Sequence, residues 1–147
     1  MSDEIVNKII NIKRDDLKAY MEGFEVTDTT LVVELEGSET QSVDEYFTAM
    51  EEECGFPWAC EGIWARYLDF MTDFCWLIDY GDKSHSKNIN IFVVIIKDYS
   101  KFMVKDKIGK KNIIETFKTH ILPFWEKDVI RITVGGVSKS FNVFLVD

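Results

Sequence analysis

Phe56-Pro57-Trp58-Ala59-Cys60-Glu61-Gly62-Ile63-Trp64-Ala65-Arg66-Tyr67-Leu68-Asp69-Phe70-Met71-Thr72-Asp73 is the stretch whose reading decides the fold. Stepped at about 100° per residue, Phe70, Ile63, Tyr67, Met71, Trp64 and Leu68 share one apolar arc, and Ala65, Thr72, Asp69, Asp73 and Arg66 fill the opposite side. The spacing predicts a helix with one buried face and one carboxylate-bearing face. Pro57 disfavours helix at Phe56, so Phe56-Pro57 predicts a sharp turn that separates this helix from one upstream.

That upstream helix is announced by Ser42-Val43-Asp44-Glu45, a capping box in which the Ser42 hydroxyl accepts from the Glu45 amide and the Glu45 carboxylate reaches back to the Ser42 amide. It should run from Val43 to about Cys54 with Val43, Tyr46, Phe47, Met50 and Cys54 inward. Glu51-Glu52-Glu53 fans around the axis, which suits solvated surface better than a cation site needing convergent oxygens. Thr29 to Glu36 is β-branched and apolar and is closed by Gly37-Ser38, the pattern of a first strand. Before it, Ile5, Val6, Ile9, Ile10 and Ile12 fall at helical spacing, and Asp15 to Met21 adds a second helical segment ending at Gly23. Residues 1–28 therefore read as an N-terminal helical extension, and 29–147 as the main domain.

Downstream, Phe74 to Ile78 is apolar and Gly81 to Lys87 is a polar loop. Ile89 to Ile96 is the most apolar run of the chain, as expected of a central strand covered on both faces. Asp98 to Lys111 is charged and turn-like. Asn112 to Phe124 has a helical pattern with Ile113, Ile114, Phe117, Ile121 and Leu122 inward, and Pro123 should end or kink it near His120. Val129 to Val134 and Phe141 to Val146 read as a hairpin or as two neighbouring strands. Strands alternating with helices predict an α/β layer with a small, mainly parallel sheet.

With 147 residues, 46% of them hydrophobic, the chain can bury a core as one domain. Its net charge of −9 is concentrated: Arg66 is the only base among twelve acids between Glu36 and Asp82. Such a field repels nucleic acid and draws a cationic protein surface. A start without a basic and apolar leader, and the lack of a run long enough to span a bilayer, predict a cytoplasmic protein that does not enter membranes. Cys54, Cys60 and Cys75 lack CxxC spacing and read as free thiols.

Catalytic signals are missing from the pattern. His85 and His120 sit in no motif that would pair them with a nucleophile or a metal, and Gly135-Gly136 lacks the lysine and further glycines of a phosphate loop. No catalytic residue, metal site or cofactor is expected, and the chain reads as a binding protein rather than an enzyme.

From Val33 to Asp73 the sequence resembles the barstar family of ribonuclease inhibitors. The likeness lies in a strand closed by Gly37, a serine-capped helix with Val43-Asp44-Glu45-Tyr46-Phe47, then Phe56-Pro57, and a second helix with Trp64, Leu68, Asp69 and Thr72. Ile91 to Asp98 is similar to the family's middle strand, Ile113 to Lys118 to its last helix, and one of the terminal apolar runs to its last strand. The resemblance implies a three-stranded, mainly parallel sheet packed against helices, with room for an extra C-terminal strand. It also implies a function: an intracellular inhibitor of antitoxin or immunity type, whose second helix blocks the active site of a basic ribonuclease or other nuclease toxin. On that reading Asp69 mimics a substrate phosphate, Thr72, Asp73 and Phe74 neighbour it, and Glu61 marks the N-terminal edge of the patch. Ala65 stands where the family carries a second aspartate, Ala59 replaces a tyrosine, and Thr119 falls where an acid is expected on the last helix. The same fold without a nuclease target, acting as a protein-interaction module, is the alternative. A monomer is expected.

Overall fold

The computed structural model describes residues 5–24, 26, 30–72, 89–132 and 138–147. Four strands, β1 (Ile9–Ile12), β2 (Thr30–Glu36), β3 (Ile91–Lys97) and β4 (Ser140–Val146), form one sheet in the order β1-β4-β3-β2, with every pair parallel. Among the described residues the helices are α1 (Arg14–Glu22), α2 (Val43–Cys54), α3 (Trp64–Met71) and α4 (Lys107–Thr116), and α4 continues through two π-helical turns into α5 (Val129–Ile132).

Topology and handedness together explain where the helices lie. The chain leaves β1 for the far edge at β2 and then steps back through β3 to β4, so its crossovers travel in opposite directions across the sheet. Parallel crossovers are right-handed, and reversing the direction of travel therefore moves the helix to the other face. Accordingly, Leu17 and Met21 of α1 pack with Val93, Ile95, Phe144 and Val146 on one face. Leu31, Val33, Leu35, Phe92, Val94, Ile96, Phe141, Val143 and Leu145 point to the other, under α2, α3 and α4. β3 is buried on both faces, as its unbroken apolar run requires.

The α/β class and the parallel sheet agree with the sequence, but the fourth strand comes from an unexpected place. Ile9–Ile12, expected as helix, pairs with Val143 to Val146 as an edge strand, so what reads as a helical extension is a strand and a helix of the same sheet. Closely spaced isoleucines satisfy either period, and β-branching favours the strand once β4 offers an edge. The expected boundary at residues 28 and 29 lies outside the described residues. Conversely, Val129–Ile132, expected as the start of an extra C-terminal strand, is helical, with Val129 buried.

The reason is that the last helix neither starts nor stops where its apolar pattern does. It begins at Lys107, five residues before Asn112, where the Asp106 carboxylate accepts from the Gly109 amide at 2.8 Å and caps it. It runs through Pro123, which keeps helical angles of φ −64° and ψ −34° between π-turns at Phe117–Ile121 and Phe124–Asp128. Widening the helix relieves the clash of the proline ring with the preceding turn. Ile113, Phe117, Ile121 and Leu122 are buried as expected, while Ile114 is only half-buried.

Gly37 closes β2 for a steric reason: a Cβ there would lie 2.2 Å from the Lys97 carbonyl oxygen. The Ser42 cap forms, with its hydroxyl accepting from the Glu45 amide at 3.0 Å. The Glu45 carboxylate reaches back to the amide of Gln41, one residue before the expected Ser42. Gly55 ends α2 at φ 72°, in the left-handed region where glycine is favoured.

Candidate functional site

α3 is held from beneath by polar contacts inside an aromatic cluster. The hydroxyls of Tyr46 on α2 and Tyr67 on α3 meet at 2.6 Å, fully buried, and Phe47 packs on Tyr67 with ring centroids 5.1 Å apart. At the C-terminal end the Trp125 indole N–H donates to the Met71 carbonyl at 2.8 Å, satisfying one of the orphan oxygens of the helix end. Burial pushes both tyrosine hydroxyls well above their ordinary range, so the pair stays neutral. Tyr67, Phe70 and Met71 are buried and Trp64 and Leu68 half-buried, as the helical arc predicts. Ile63, assigned to the same arc, is instead the residue before the first turn and is exposed.

The approach to α3 is a tight turn. Glu61 and Gly62 both have positive φ, 53° and 73°, and this consecutive left-handed pair swings the chain onto the helix. The Cys60 amide donates to the Glu51 carboxylate at 3.2 Å, which fastens the turn to α2. The Cys60 thiol is pushed up to about 11, chiefly by burial and then by the Glu51 carboxylate, and Cys54 is also raised by burial. Both are free thiols, as expected, and Cys75 lies outside the described residues.

On the outer side, Asp69 is exposed and has no ion-pair partner among the described residues. The pairing of Arg66 with Asp69 that helical spacing permits is not made. Arg66 turns back to Glu61 at 3.2 Å because the left-handed turn brings that carboxylate over the first turn of the helix. Ala65 is exposed one turn before Asp69. Thr72 is half-buried and donates its hydroxyl to the Leu68 carbonyl at 2.7 Å, so its hydrogen is committed to its own helix. Glu61, Ala65 and Asp69 thus share the loop and outer face of α3, with Thr72 at its end. Asp73 and Phe74 lie outside the described residues, as do His85 and the apolar run from Phe74 to Ile78.

Two neighbours escaped the sequence reading. Trp58 is 59% exposed and sits edge-on against Phe70 at 5.6 Å, an aromatic body held at the surface beside α3. Its signal was its place in a loop immediately after Phe56-Pro57. Asp44 on α2 lies 3.3 Å from where a Cβ on Gly62 would be, which adds a carboxylate to the rim of the turn. Only the chain reversal at residues 61 and 62 puts it there. Among the described residues no group of three acidic, histidine or cysteine side chains could hold a metal ion, and no helix is long and apolar enough to cross a membrane.

Compared with protein-family models, with curated proteins and with solved structures, the chain matches none.

Proposed function

We propose that the protein is an inhibitor that closes the active site of a basic nuclease with the outer face of α3, and that it is not itself an enzyme. The observation that carries this reading is Asp69: a carboxylate exposed on a helix anchored from below by Tyr67 and Trp125, with no ion-pair partner among the described residues and the nearby arginine engaged by Glu61. A fixed, unneutralised carboxylate can take the place of a phosphate oxygen and accept charge-assisted hydrogen bonds from the arginines and histidines of a nuclease cleft. The surrounding acids of the middle third raise the rate of encounter with such a target.

Trp58 supplies the apolar component that interface hot spots commonly include. The order strand, capped helix, Phe56-Pro57, helix, strand, helix, strand from β2 to β4 supports a barstar-like domain, with β1 and α1 as additions on its β4 side and opposite face. The same exposed tryptophan favours the second reading, an interaction module whose partner is not a nuclease. Co-purification from the native cell, with identification of the bound protein, tests both. A small basic nuclease whose activity falls on titration with the protein supports the first, and a non-nuclease partner selects the second.

A further inference from the structure

The sheet has two edges, and they differ. β1 offers four residues, whereas β2 offers seven, paired on one side with β3 and on the other with no strand among the described residues. Among the described residues, the outward N–H and C=O groups between Leu31 and Leu35 therefore form an open half of a β-ladder, the feature to which another strand adds.

A groove of about 430 Å³ runs between the Glu34–Glu36 end of this edge and α2, and seven of its eleven lining residues are acids. They flank the edge from both sides. Glu34 and Glu36 project from β2 toward Lys97, which contacts them at 3.1 and 3.6 Å, on the face opposite buried Leu35. Asp44, Glu45 and Glu52 line the groove from α2, which packs over the Leu35 face. A strand laid about 4.8 Å from β2 would direct alternate side chains to these two acidic walls. Lys97 is the only basic group paired with them among the described residues. A second copy of β2 would carry its own Glu34 and Glu36 into a groove already lined by acids, so the charge disfavours self-pairing and selects a cationic strand.

We propose that the outer edge of β2, walled by α2, is a second docking site that takes an extended, lysine- or arginine-rich segment of a partner protein as an added strand. Main-chain hydrogen bonds to β2 hold the segment, and the two walls choose its side chains. The proposal stands apart from Asp69, which lies on α3.

The probe is a fluorescein-labelled peptide of about five Lys-Thr repeats, long enough for an ordinary strand, and a companion of the same charge with alternate backbone nitrogens methylated. Anisotropy titrations should show the first binding and the companion about tenfold or more weaker. Replacing the exposed groove residues Thr48→Lys and Glu52→Lys together should weaken the first peptide by a similar factor, and Asp69→Lys should leave it unchanged. Amide shifts on adding the peptide should centre on Leu31 to Glu36. Equal binding of the methylated companion, loss of binding in Asp69→Lys but not in the groove variant, shifts centred on α3, or no binding at low salt would each overturn the proposal.

Discussion

The outer face of α3 and the groove beside β2 carry charge of the same sign in opposite arrangements. On α3 the Asp69 carboxylate has no ion-pair partner among the described residues, and the helix beneath it is fixed by the 2.6 Å tyrosine contact and the 2.8 Å indole contact. Between β2 and α2 seven acids line one groove, and Lys97 pairs with two of them, Glu34 and Glu36. A lone, rigid charge gives geometric selectivity, because one atom must meet one pocket and little entropy remains to be lost. A row of charges gives attraction over a distance of about a Debye length and tolerance of register. Net charge alone therefore does not separate the two surfaces. The anchoring of the backbone beneath them does.

The comparison can be broken most directly at Asp69. Asp69→Ala should weaken binding to a cognate nuclease by about 2–5 kcal/mol, the usual effect of removing one partner of a desolvated charge pair, and change stability by no more than about 0.5 kcal/mol, as expected of an exposed site. Calorimetric titration beside a thermal melt separates the two, and unchanged affinity would remove Asp69 from its role. Tyr67→Phe tests the anchor. It leaves the buried Tyr46 hydroxyl without its partner, so denaturant unfolding should show a loss of about 1–3 kcal/mol and nuclease affinity should fall, while the Lys-Thr peptide binds as before. Equal loss at both surfaces would show that they are not independently held.

Ser42→Ala sharpens the contrast from the other side. Losing the cap of α2 should cost about 1 kcal/mol of stability and disturb Asp44 and Glu45 in the groove before it disturbs α3, as amide exchange of the first turn would show. The remaining effect is alkaline. The Cys60 thiol lies at about 11 in the folded chain against 9.0 for a free thiol. A raised value for a group that ionises to an anion means that folding favours the protonated form. Its contribution is full below about pH 9 and is lost as pH rises toward 11, because the unfolded chain ionises first. Melting temperature should decline across that window, less steeply in Cys60→Ala, and an identical slope in the two proteins would contradict the assignment.

Patterns spanning a few residues are legible in the sequence because their causes are local. The apolar run of β3, the Ser42 cap of α2 and the inner face of α3 each depend on neighbours within a turn or on an unbroken run along a strand. The errors lie where a distant partner decides. Ile9–Ile12 became a strand because β4, more than a hundred residues away, offered an edge in register from Val143 to Val146. The last helix passed Pro123 because π-turns on either side accommodate the ring while Trp125 and Val129 reach the core. At the candidate site, helical spacing alone allowed Arg66 to choose Asp69, and the left-handed turn at Glu61 gave it another carboxylate.

The amino-acid sequence by itself determined the α/β class, the parallel sheet and the acidic outer face of the helix that carries Asp69, because hydrophobic period and residue charge are written along the chain. Tertiary structure alone decided the fourth strand, the open edge of β2 between two acidic walls and the ion pairing that leaves Asp69 unneutralised among the described residues. These depend on which segments meet in space, and the free energy of such a meeting is shared between residues whose separation no local period records.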